Sequence, residues 1–402
     1  MTPQRWQQIE NLFETALDRD PQERIAWLAQ TCADDDELFR AVEKLLADDA
    51  VAADFIEQPP ALRTEALSAA LTESDPLIGQ RLGVYRVGRQ LGRGGMGAVY
   101  LAERDDDEFE QRVAIKLIKR GMDSDEIVQR FRQERQILAQ LNHPHIARLL
   151  DGGTTPDGRP YFVMDYIEGE PLYAWCDAQQ LGLRERIALF RQVCAAVDYA
   201  HRQRVLHRDL KPSNLLVSRE DGAVRLLDFG IARLLVADRE GDTLTLTGER
   251  LLTPHYASPE QVRGLPLTFA SDVYSLGLVL YELLTGRRPY VLSGQAWHEI
   301  SRAVCENNPA LPSHVVWNTS GALMVNGEDA TVEAISQARK HTPASLGVTL
   351  AGALDNIVMK ALRKDPQERY TTAAELSEDL ARWLRGDEVR AADPLATARF
   401  TP

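Results

Sequence analysis

The sequence is poor in several features that would assign it to particular classes of protein. Its 402 residues include only four cysteines, which are Cys32, Cys176, Cys194 and Cys305. They are widely spaced and form no CxxC pair, which argues against a disulfide framework or a zinc site and predicts a reducing compartment. No run approaches the roughly 18 apolar residues of a membrane-spanning helix. Residues 1–10 do not resemble a signal peptide.

Basic residues are also in short supply. The chain has 46 Lys and Arg residues against 60 Asp and Glu residues, which gives a formal net charge of -14 at pH 7. Such a field repels nucleic acid and anionic membrane surfaces, so we expect neither as a partner. The composition, 44% hydrophobic and 26% charged, is instead typical of a globular protein. The length predicts two or three domains.

Residues 1–56 are predicted to form a small α-helical unit. Two series of apolar residues recur at helical spacing, and they are Trp6, Ile9, Phe13 and Leu17, then Leu38, Val42, Leu45 and Leu46. Three helices in so short a segment can bury only a modest core. Residues 57–80, which include Pro59-Pro60, are predicted to be a linker.

From about Gly79 the pattern changes to short segments rich in β-branched residues. The segments that resemble antiparallel strands are 84–93, 98–104, 111–119, 147–152 and 161–166. A helix is predicted over 124–141, and beyond Gly169 the pattern is mainly helical. The sequence therefore predicts an α+β fold, with a small antiparallel β-sheet lobe followed by a large α-helical lobe.

A glycine-rich loop follows the first predicted strand. Gly92, Gly94, Gly97 and Val99 form a GxGxxGxV pattern, and glycines allow backbone N–H groups to approach phosphate oxygens closely. Dinucleotide-binding turns use the same glycine spacing. Here a strand rather than a helix is predicted after Val99, which disfavours the dinucleotide alternative. The sequence also has no GxxxxGK[ST] motif of a P-loop.

Lys116 ends the apolar run Val113-Ala114-Ile115. A lone lysine at the end of a strand often only extends its ammonium group to water. A carboxylate partner is nevertheless available at Glu134, in the helix predicted to follow. Taken alone, Glu134 would be one of many charges on an exposed helix face, so its assignment depends on the motifs downstream.

Two downstream motifs carry a family resemblance. They are His207-Arg208-Asp209-Leu210-Lys211-Pro212-Ser213-Asn214 and Asp228-Phe229-Gly230. Together with the glycine-rich loop and Lys116 they form an ordered compound pattern. Through it the sequence resembles the protein kinase superfamily, and most of all the bacterial eukaryotic-like serine/threonine protein kinases. The resemblance covers about residues 81–388 and implies the two-lobed protein kinase fold, here preceded by the small N-terminal α-helical unit.

The resemblance implies a catalytic role for four residues. Asp209 would accept the proton of the substrate hydroxyl, and Lys211 would steady the transferring phosphate. Lys116, paired with Glu134, would hold the α- and β-phosphates of ATP. A lysine at the position of Lys211 is more similar to serine/threonine kinases than to tyrosine kinases.

The resemblance also implies sites for the nucleotide and for a metal. Asn214 and Asp228 would ligate Mg²⁺, with Mn²⁺ as an alternative, because both side chains offer the hard oxygen ligands that such cations prefer. The residues that would bind ATP are Gly92, Gly94, Gly97, Val99, Ala114, Lys116, Met164, Asp165, Tyr166 and Ile167. Among them, Met164 takes the gatekeeper position.

Two further contacts are expected from the resemblance downstream. Ser258-Pro259-Glu260 is similar to the end of the substrate-docking segment of kinases, where Glu260 would pair with Arg369. Asp272 would brace the catalytic loop. The pair of Glu260 and Arg369 would be structural rather than catalytic.

The resemblance divides the chain and predicts its function. The predicted divisions are a helical unit 1–56, a linker 57–80, a kinase domain 81–388 with small lobe 81–165 and large lobe 166–388, a polar insertion at about 312–346, and a tail 389–402. We expect a serine/threonine protein kinase that transfers the γ-phosphoryl group of ATP to protein Ser or Thr hydroxyls and acts in bacterial signalling.

The partners that the resemblance implies are ATP, protein substrates bearing Ser or Thr, and a second copy of the chain, through autophosphorylation in a dimer. A cytoplasmic location is expected, with membrane tethering if the natural protein continues past Pro402. The alternative function is a kinase-fold scaffold without catalysis. Such scaffolds typically lack the strand lysine or one of the two aspartates, whereas Lys116, Asp209 and Asp228 are all present here.

Overall fold

The structure, a computed structural model, describes most of the chain beyond residue 74. The described residues are 12, 27–28, 31–32, 35, 38–39, 42, 75, 77–94, 97–106, 108–118, 135–229, 254–290, 292, 297–317, 324–325, 328–329 and 331–392. The chain divides into two compact units, Met1–Gln58 and Pro59–Pro402.

The first unit has a small apolar cluster of its own. Leu28, Cys32, Leu38 and Val42 are buried in it. Leu38 and Val42 were predicted to share one helical face, and both are helical and buried. Asp35 accepts a hydrogen bond from the backbone N–H of Leu38 at 3.1 Å, a contact typical of a helix N-cap. Of the other apolar residues of the two predicted series, none lies within the described residues.

The described part of the second unit begins with a six-stranded antiparallel sheet. Its strands are β1 (Arg81–Leu82), β2 (Tyr85–Gly94), β3 (Gly97–Arg104), β4 (Arg112–Ile118), β5 (Leu149–Thr154) and β6 (Pro160–Asp165). Their order in the sheet is β1-β2-β3-β4-β6-β5. All five predicted strands are confirmed, with ends that differ by one or two residues. The predicted helix 124–141 is described only from residue 135, and residues 135–139 are helical.

The registers of the central strands fix which residues face one another. Val99 on β3 pairs with Lys116 on β4, and Ala114 on β4 pairs with Met164 on β6. Residues Ala98, Tyr100 and Ala102 of β3 are buried, while their neighbours along the strand are less so, as expected for a strand with one face in the core. The sheet thus gathers eight of the ten residues predicted for nucleotide binding onto the adjacent strands β2, β3, β4 and β6, and Tyr166 and Ile167 follow β6.

The rest of the second unit is mainly helical. Its helices are α1 (Leu172–Ala178), α2 (Leu183–Arg202), α3 (Pro259–Val262), α4 (Phe269–Thr285), α5 (Trp297–Cys305), α6 (Pro312–Val315), α7 (Val332–Ala338), α8 (Pro343–Leu350), α9 (Ala353–Ala361) and α10 (Ala373–Arg385). Short 3₁₀ turns lie at Pro212–Asn214, Pro254–Tyr256 and Pro366–Glu368. Among the described residues, no helix is both long and apolar enough to cross a bilayer.

Helix α4 is the centre of the large lobe. Nearly all of its residues are buried, from Ser271 to Thr285, as expected for a helix that is covered on every side. A Cβ at Gly277 would come within 2.9 Å of the Cβ of Ala361 on α9. Glycine at this position therefore allows the close approach of the two helices.

Five short strands also lie within the described part of the large lobe. They are β7 (Gly169–Pro171), β8 (Leu215–Ser218) and β9 (Val224–Leu226), which form one sheet, and the pair β10 (Met324–Val325) and β11 (Glu328–Asp329). None of them was predicted from the sequence. The β7-β8-β9 sheet matters for the site because β8 directly follows residues 207–214 and β9 ends two residues before Asp228.

The segment 312–346, predicted to be a polar insertion, contributes buried side chains to the large lobe. Arg339 at the end of α7 is 2% exposed and donates hydrogen bonds to the backbone oxygens of Leu283 and Leu284 at 3.1 and 2.7 Å. Ser313 on α6 donates to the carboxylate of Asp355 on α9 at 2.6 Å. These polar residues are buried because their hydrogen bonds are satisfied.

Candidate active site

The catalytic loop connects α2 to β8 and brings three of the predicted residues together. The ammonium nitrogen of Lys211 lies 3.0 Å from a carboxylate oxygen of Asp209. The side-chain amide of Asn214 donates to the backbone oxygen of Asp209 at 2.8 Å. Asp209 and Asn214 are both buried, so the loop holds a carboxylate, an ammonium group and an amide in a partly desolvated site.

Asp272 on α4 braces the loop, as predicted. Its carboxylate accepts hydrogen bonds from the backbone N–H groups of His207 at 2.8 Å and Arg208 at 3.0 Å. It also accepts one from the His201 ring at 2.8 Å. Burial alone would raise the pKa of Asp272, but the bonds from His201 and His207 outweigh it, and the pKa lies below its ordinary value. A buried, ionised carboxylate therefore anchors the backbone just before Asp209.

His207 joins the catalytic loop to the segment that carries Asp228. Its Nε2 lies 2.9 Å from the backbone oxygen of Leu227, and its ring packs against Phe229 at 4.8 Å between centroids. Its Nδ1 accepts from the N–H of Asp209 at 3.3 Å. Burial lowers the pKa of His207. The imidazole is thus neutral, with its proton on Nε2.

The residues predicted to bind a metal lie side by side. Leu215 on β8 pairs with Leu226 on β9, and the backbone N–H of Leu227 donates to the backbone oxygen of Asn214 at 2.8 Å. Asn214 is therefore next to Asp228 in space. Since its amide nitrogen donates to Asp209, its amide oxygen is the atom left for a cation. A carboxylate and an amide oxygen suit Mg²⁺, which usually completes its shell with waters and phosphate oxygens.

Lys116 reaches across to this site from β4. Its ammonium nitrogen lies 2.6 Å from a carboxylate oxygen of Asp228, and the two side chains are only 13% and 23% exposed. Glu134, the partner predicted for Lys116, lies outside the described residues. The observed pair was not predicted, and it connects the small-lobe sheet directly to the proposed metal ligand.

The glycine-rich loop forms the β2–β3 hairpin, so a strand follows it, as predicted. Gly92 pairs with Val99 and Gly94 with Gly97. Gly97 has a φ of 144°, and a Cβ at this position would overlap the backbone oxygen of Leu117. Only glycine fits there. At Gly97 the backbone of β3 can therefore approach that of β4 closely, because no side chain lies between them.

The last four residues predicted to bind ATP lie at the end of β6 or directly after it. Met164 and Asp165 close the strand. The carboxylate of Asp165 accepts three hydrogen bonds from Arg148, from its backbone N–H and its Nε at 3.0 Å and from its Nη2 at 3.3 Å. The guanidinium of Arg112 stacks over the Tyr166 ring at 5.5 Å. The side chains of Asp165 and Tyr166 are thus held by arginines, and Ile167 comes next before β7.

The segment Ser258-Pro259-Glu260, which resembles the end of a substrate-docking segment, ends at a residue that forms a buried ion pair. Glu260 on α3 accepts two hydrogen bonds from Arg369, at 2.7 and 3.0 Å, and both side chains are buried. This pair was predicted, and it is confirmed. Residues 230–253, which lie between Phe229 and this segment, are outside the described residues.

Three residues that the sequence analysis did not single out complete the loop, and they are His201, His207 and Gln261. His207 lies inside the quoted motif, but its bond to a backbone oxygen leaves no pattern in the sequence. His201 lies in the last turn of α2, where a histidine is unremarkable. Gln261 bonds the backbone oxygen of Arg208, 53 positions away.

Comparison with known families and proteins agrees with this geometry. Residues 85–380 match the family model described as protein kinase domain. The chain is 35% identical over 309 residues to serine/threonine-protein kinase PrkC of Bacillus subtilis, which covers 76% of this chain and 41% of that protein. It is 36% identical over 322 residues to serine/threonine-protein kinase PknB of Mycolicibacterium smegmatis, covering 79% of this chain and 45% of that protein.

A solved structure of the Mycobacterium tuberculosis PknI kinase domain is also similar. It has a TM-score of 0.52 and 25% sequence identity, with 77% of this chain and 98% of that chain covered. The chain belongs to the protein kinase domain family, and the resemblance to bacterial serine/threonine kinases is confirmed. The chain spans less than half the length of each of the two curated relatives, PrkC and PknB.

Proposed function

We propose that this chain is an ATP- and metal-dependent serine/threonine protein kinase. The observation that carries the proposal is the convergence of Lys116, Asp209, Lys211, Asn214 and Asp228, from separate parts of the sequence, into one site. A kinase-fold scaffold would not need all five. The names of the bacterial relatives add support, since those proteins are called serine/threonine-protein kinases.

In this proposal, each side chain acts by position and charge. Asp209 accepts a hydrogen bond from the substrate hydroxyl and takes its proton as the oxygen attacks the γ-phosphorus. Lys211, 3.0 Å from the same carboxylate, stabilises the negative charge that spreads over the phosphoryl oxygens. Lys116 holds the α- and β-phosphates. The barrier is lowered by orientation and by stabilisation of charge, because phosphoryl transfer needs little covalent help from the protein.

Asn214 and Asp228 would hold Mg²⁺, with Mn²⁺ as the alternative. When bound, such a cation neutralises phosphate charge and orients the γ-phosphoryl group. Asp228 pairs with Lys116 at 2.6 Å, so its carboxylate would be shared between the lysine and the metal. The positive charge of Lys116 would thereby offset the negative charge that Asp228 places near the phosphates.

We also propose the wider setting that the sequence predicted. Protein substrates bearing Ser or Thr, and autophosphorylation in a dimer, follow from the proposed activity. The proposed location is the cytoplasm. Residues 1–56 are proposed to regulate or dock rather than to catalyse, and the separate compact unit Met1–Gln58 supports this. The kinase domain is proposed to span 81–388, in keeping with the match over 85–380.

The test is phosphate transfer by the purified full chain. We expect incorporation of γ-labelled phosphate from ATP into a generic basic protein and into the chain itself, with the label on Ser and Thr after acid hydrolysis. EDTA should abolish the incorporation, and added Mg²⁺ or Mn²⁺ should restore it. An Asp209→Asn variant should be nearly inactive while still gaining thermal stability from Mg-ATP. A chain that binds Mg-ATP but transfers no phosphate would support the scaffold alternative instead.

A further inference from the structure

Arg208, the residue before Asp209, has an unusual backbone that is held at both ends. Its φ is 66°, in the left-handed region that costs a residue with a side chain about 1–2 kcal/mol. Such a conformation persists only where the surroundings fix it. The N–H of Arg208 donates to Asp272 at 3.0 Å, and its backbone oxygen accepts from the side-chain amide of Gln261 at 2.7 Å.

Gln261 is itself fixed from the other side. It lies in the first turn of α3, where its Oε1 accepts from the backbone N–H of Ser258 at 2.9 Å. Its own backbone N–H donates to the Ser258 hydroxyl at 3.3 Å. This reciprocal arrangement is a capping box. Because Ser258 is fully buried, the amide of Gln261 has little freedom to rotate away from Arg208.

The bond to Arg208 acts on the peptide group that leads into the catalytic aspartate. The carbonyl of Arg208 and the N–H of Asp209 belong to one rigid plane. The N–H side of that plane meets His207 Nδ1 at 3.3 Å, and the oxygen side meets Gln261. Any rotation of the plane would move the Asp209 side chain, which follows immediately.

We propose that Gln261 is a positioning residue that couples the substrate-docking segment to Asp209, an inference that rests on the proposed kinase function. The segment Ser258-Pro259-Glu260 leads directly into it, so a displacement of that segment is transmitted through one side chain to the catalytic loop. Catalysis depends on this placement, because a shift of about 1 Å at a reacting group can lower a rate by roughly 10²-fold.

The test compares two substitutions at this position. Gln261→Leu removes both side-chain hydrogen bonds. Gln261→Glu keeps an oxygen for the N–H of Ser258 but places the second oxygen against the Arg208 carbonyl. We expect both variants to lower kcat for a protein substrate by about 10–100-fold, with the KM for ATP unchanged. A matched control is Gln192→Leu, which removes a side-chain bond to the backbone of Val224 elsewhere in the lobe.

A second measurement separates positioning from a role in stability. In an Asp209→Asn background, Gln261→Leu should lower the residual rate no further, because Gln261 acts through Asp209. Full activity of Gln261→Glu would show that only the cap on Ser258 matters and would overturn the inference. The inference would also be overturned if only the KM for the protein substrate changed, or if Gln192→Leu lowered kcat by the same factor. An inactive parent chain would instead refute the proposed function.

Discussion

The ammonium group of Lys116 lies 2.6 Å from the carboxylate of Asp228, a residue 112 positions further along the chain. One residue comes from β4 of the small-lobe sheet and the other from the segment after β9. In the proposed function, both serve ATP, the lysine through its phosphates and the aspartate through the metal. The pair keeps each charge compensated until phosphates and metal bind, which lowers the cost of holding both in a partly buried site.

Lys116→Met should leave the fold intact and remove nearly all transfer activity. The side chain is only 13% exposed, and methionine has a similar length and suits an apolar strand. Loss of one charge donor to a transition state typically lowers the rate by about 10²–10³. The measurement is the initial rate of phosphate transfer at saturating Mg-ATP, with circular dichroism to check folding.

The matched control for Lys116 is Lys340→Met. Lys340 lies on the surface, where it forms an exposed ion pair with Glu185 at 3.4 Å. This variant should transfer phosphate as fast as the parent chain. A parental rate in Lys116→Met would show that the lysine has no part in the reaction.

The sequence was sufficient to predict the chemistry of the site because that chemistry is carried by side chains at fixed spacings. Asp209, Lys211 and Asn214 fall within six positions, and their meeting required only a tight loop. The pairing of Glu260 with Arg369 followed from the family resemblance. By contrast, no pattern indicated the Lys116–Asp228 pair, because each residue has a separate expected partner.

The features that the sequence analysis missed have two physical causes. His207 and Gln261 bond backbone oxygens, which every residue carries, so their partners leave no signal in the sequence. Strands of three or four residues, such as β7 and β8, are too short for a periodic pattern. Burial of Arg339 has the first of these causes, because its guanidinium donates to three backbone oxygens and can lie in the core when it is hydrogen-bonded in this way.

The buried pair between Glu260 and Arg369 should contribute strongly to stability. Glu260→Gln would leave the guanidinium without its counter-charge, and breaking a buried pair in this way costs about 3–5 kcal/mol. The expected result is a fall of this size in the free energy of unfolding, measured by urea titration of the full chain.

An exposed ion pair is the natural control for this prediction. Glu378→Gln removes the negative charge that pairs with Arg385 at 3.1 Å, where both side chains are about half exposed. Exposed pairs typically contribute about 0–1 kcal/mol. If Glu260→Gln cost no more than Glu378→Gln, the Arg369 pair would not hold the docking segment in place.

His255 should make the protein less stable in mild acid. Burial, and then the positive charge of Arg288, lower the pKa of His255 to about 4, against an ordinary value of about 6.5. Its Nδ1 is buried without a hydrogen-bond partner among the residues that the structure describes, so a proton on this nitrogen would have no acceptor among them. As pH falls from 6.5 towards 4, the unfolded chain takes up a proton that the folded chain does not, and the folded state loses stability. This single group should lower the free energy of unfolding by up to about 2 kcal/mol between pH 7 and pH 5.

We therefore expect His255→Phe to flatten the dependence of unfolding free energy on pH in this window, measured by urea titration at both pH values. His314→Phe, on the exposed surface of α6, should keep the parental dependence. An identical pH dependence in His255→Phe and the parent chain would show that the histidine is charged in the folded state as readily as in the unfolded one.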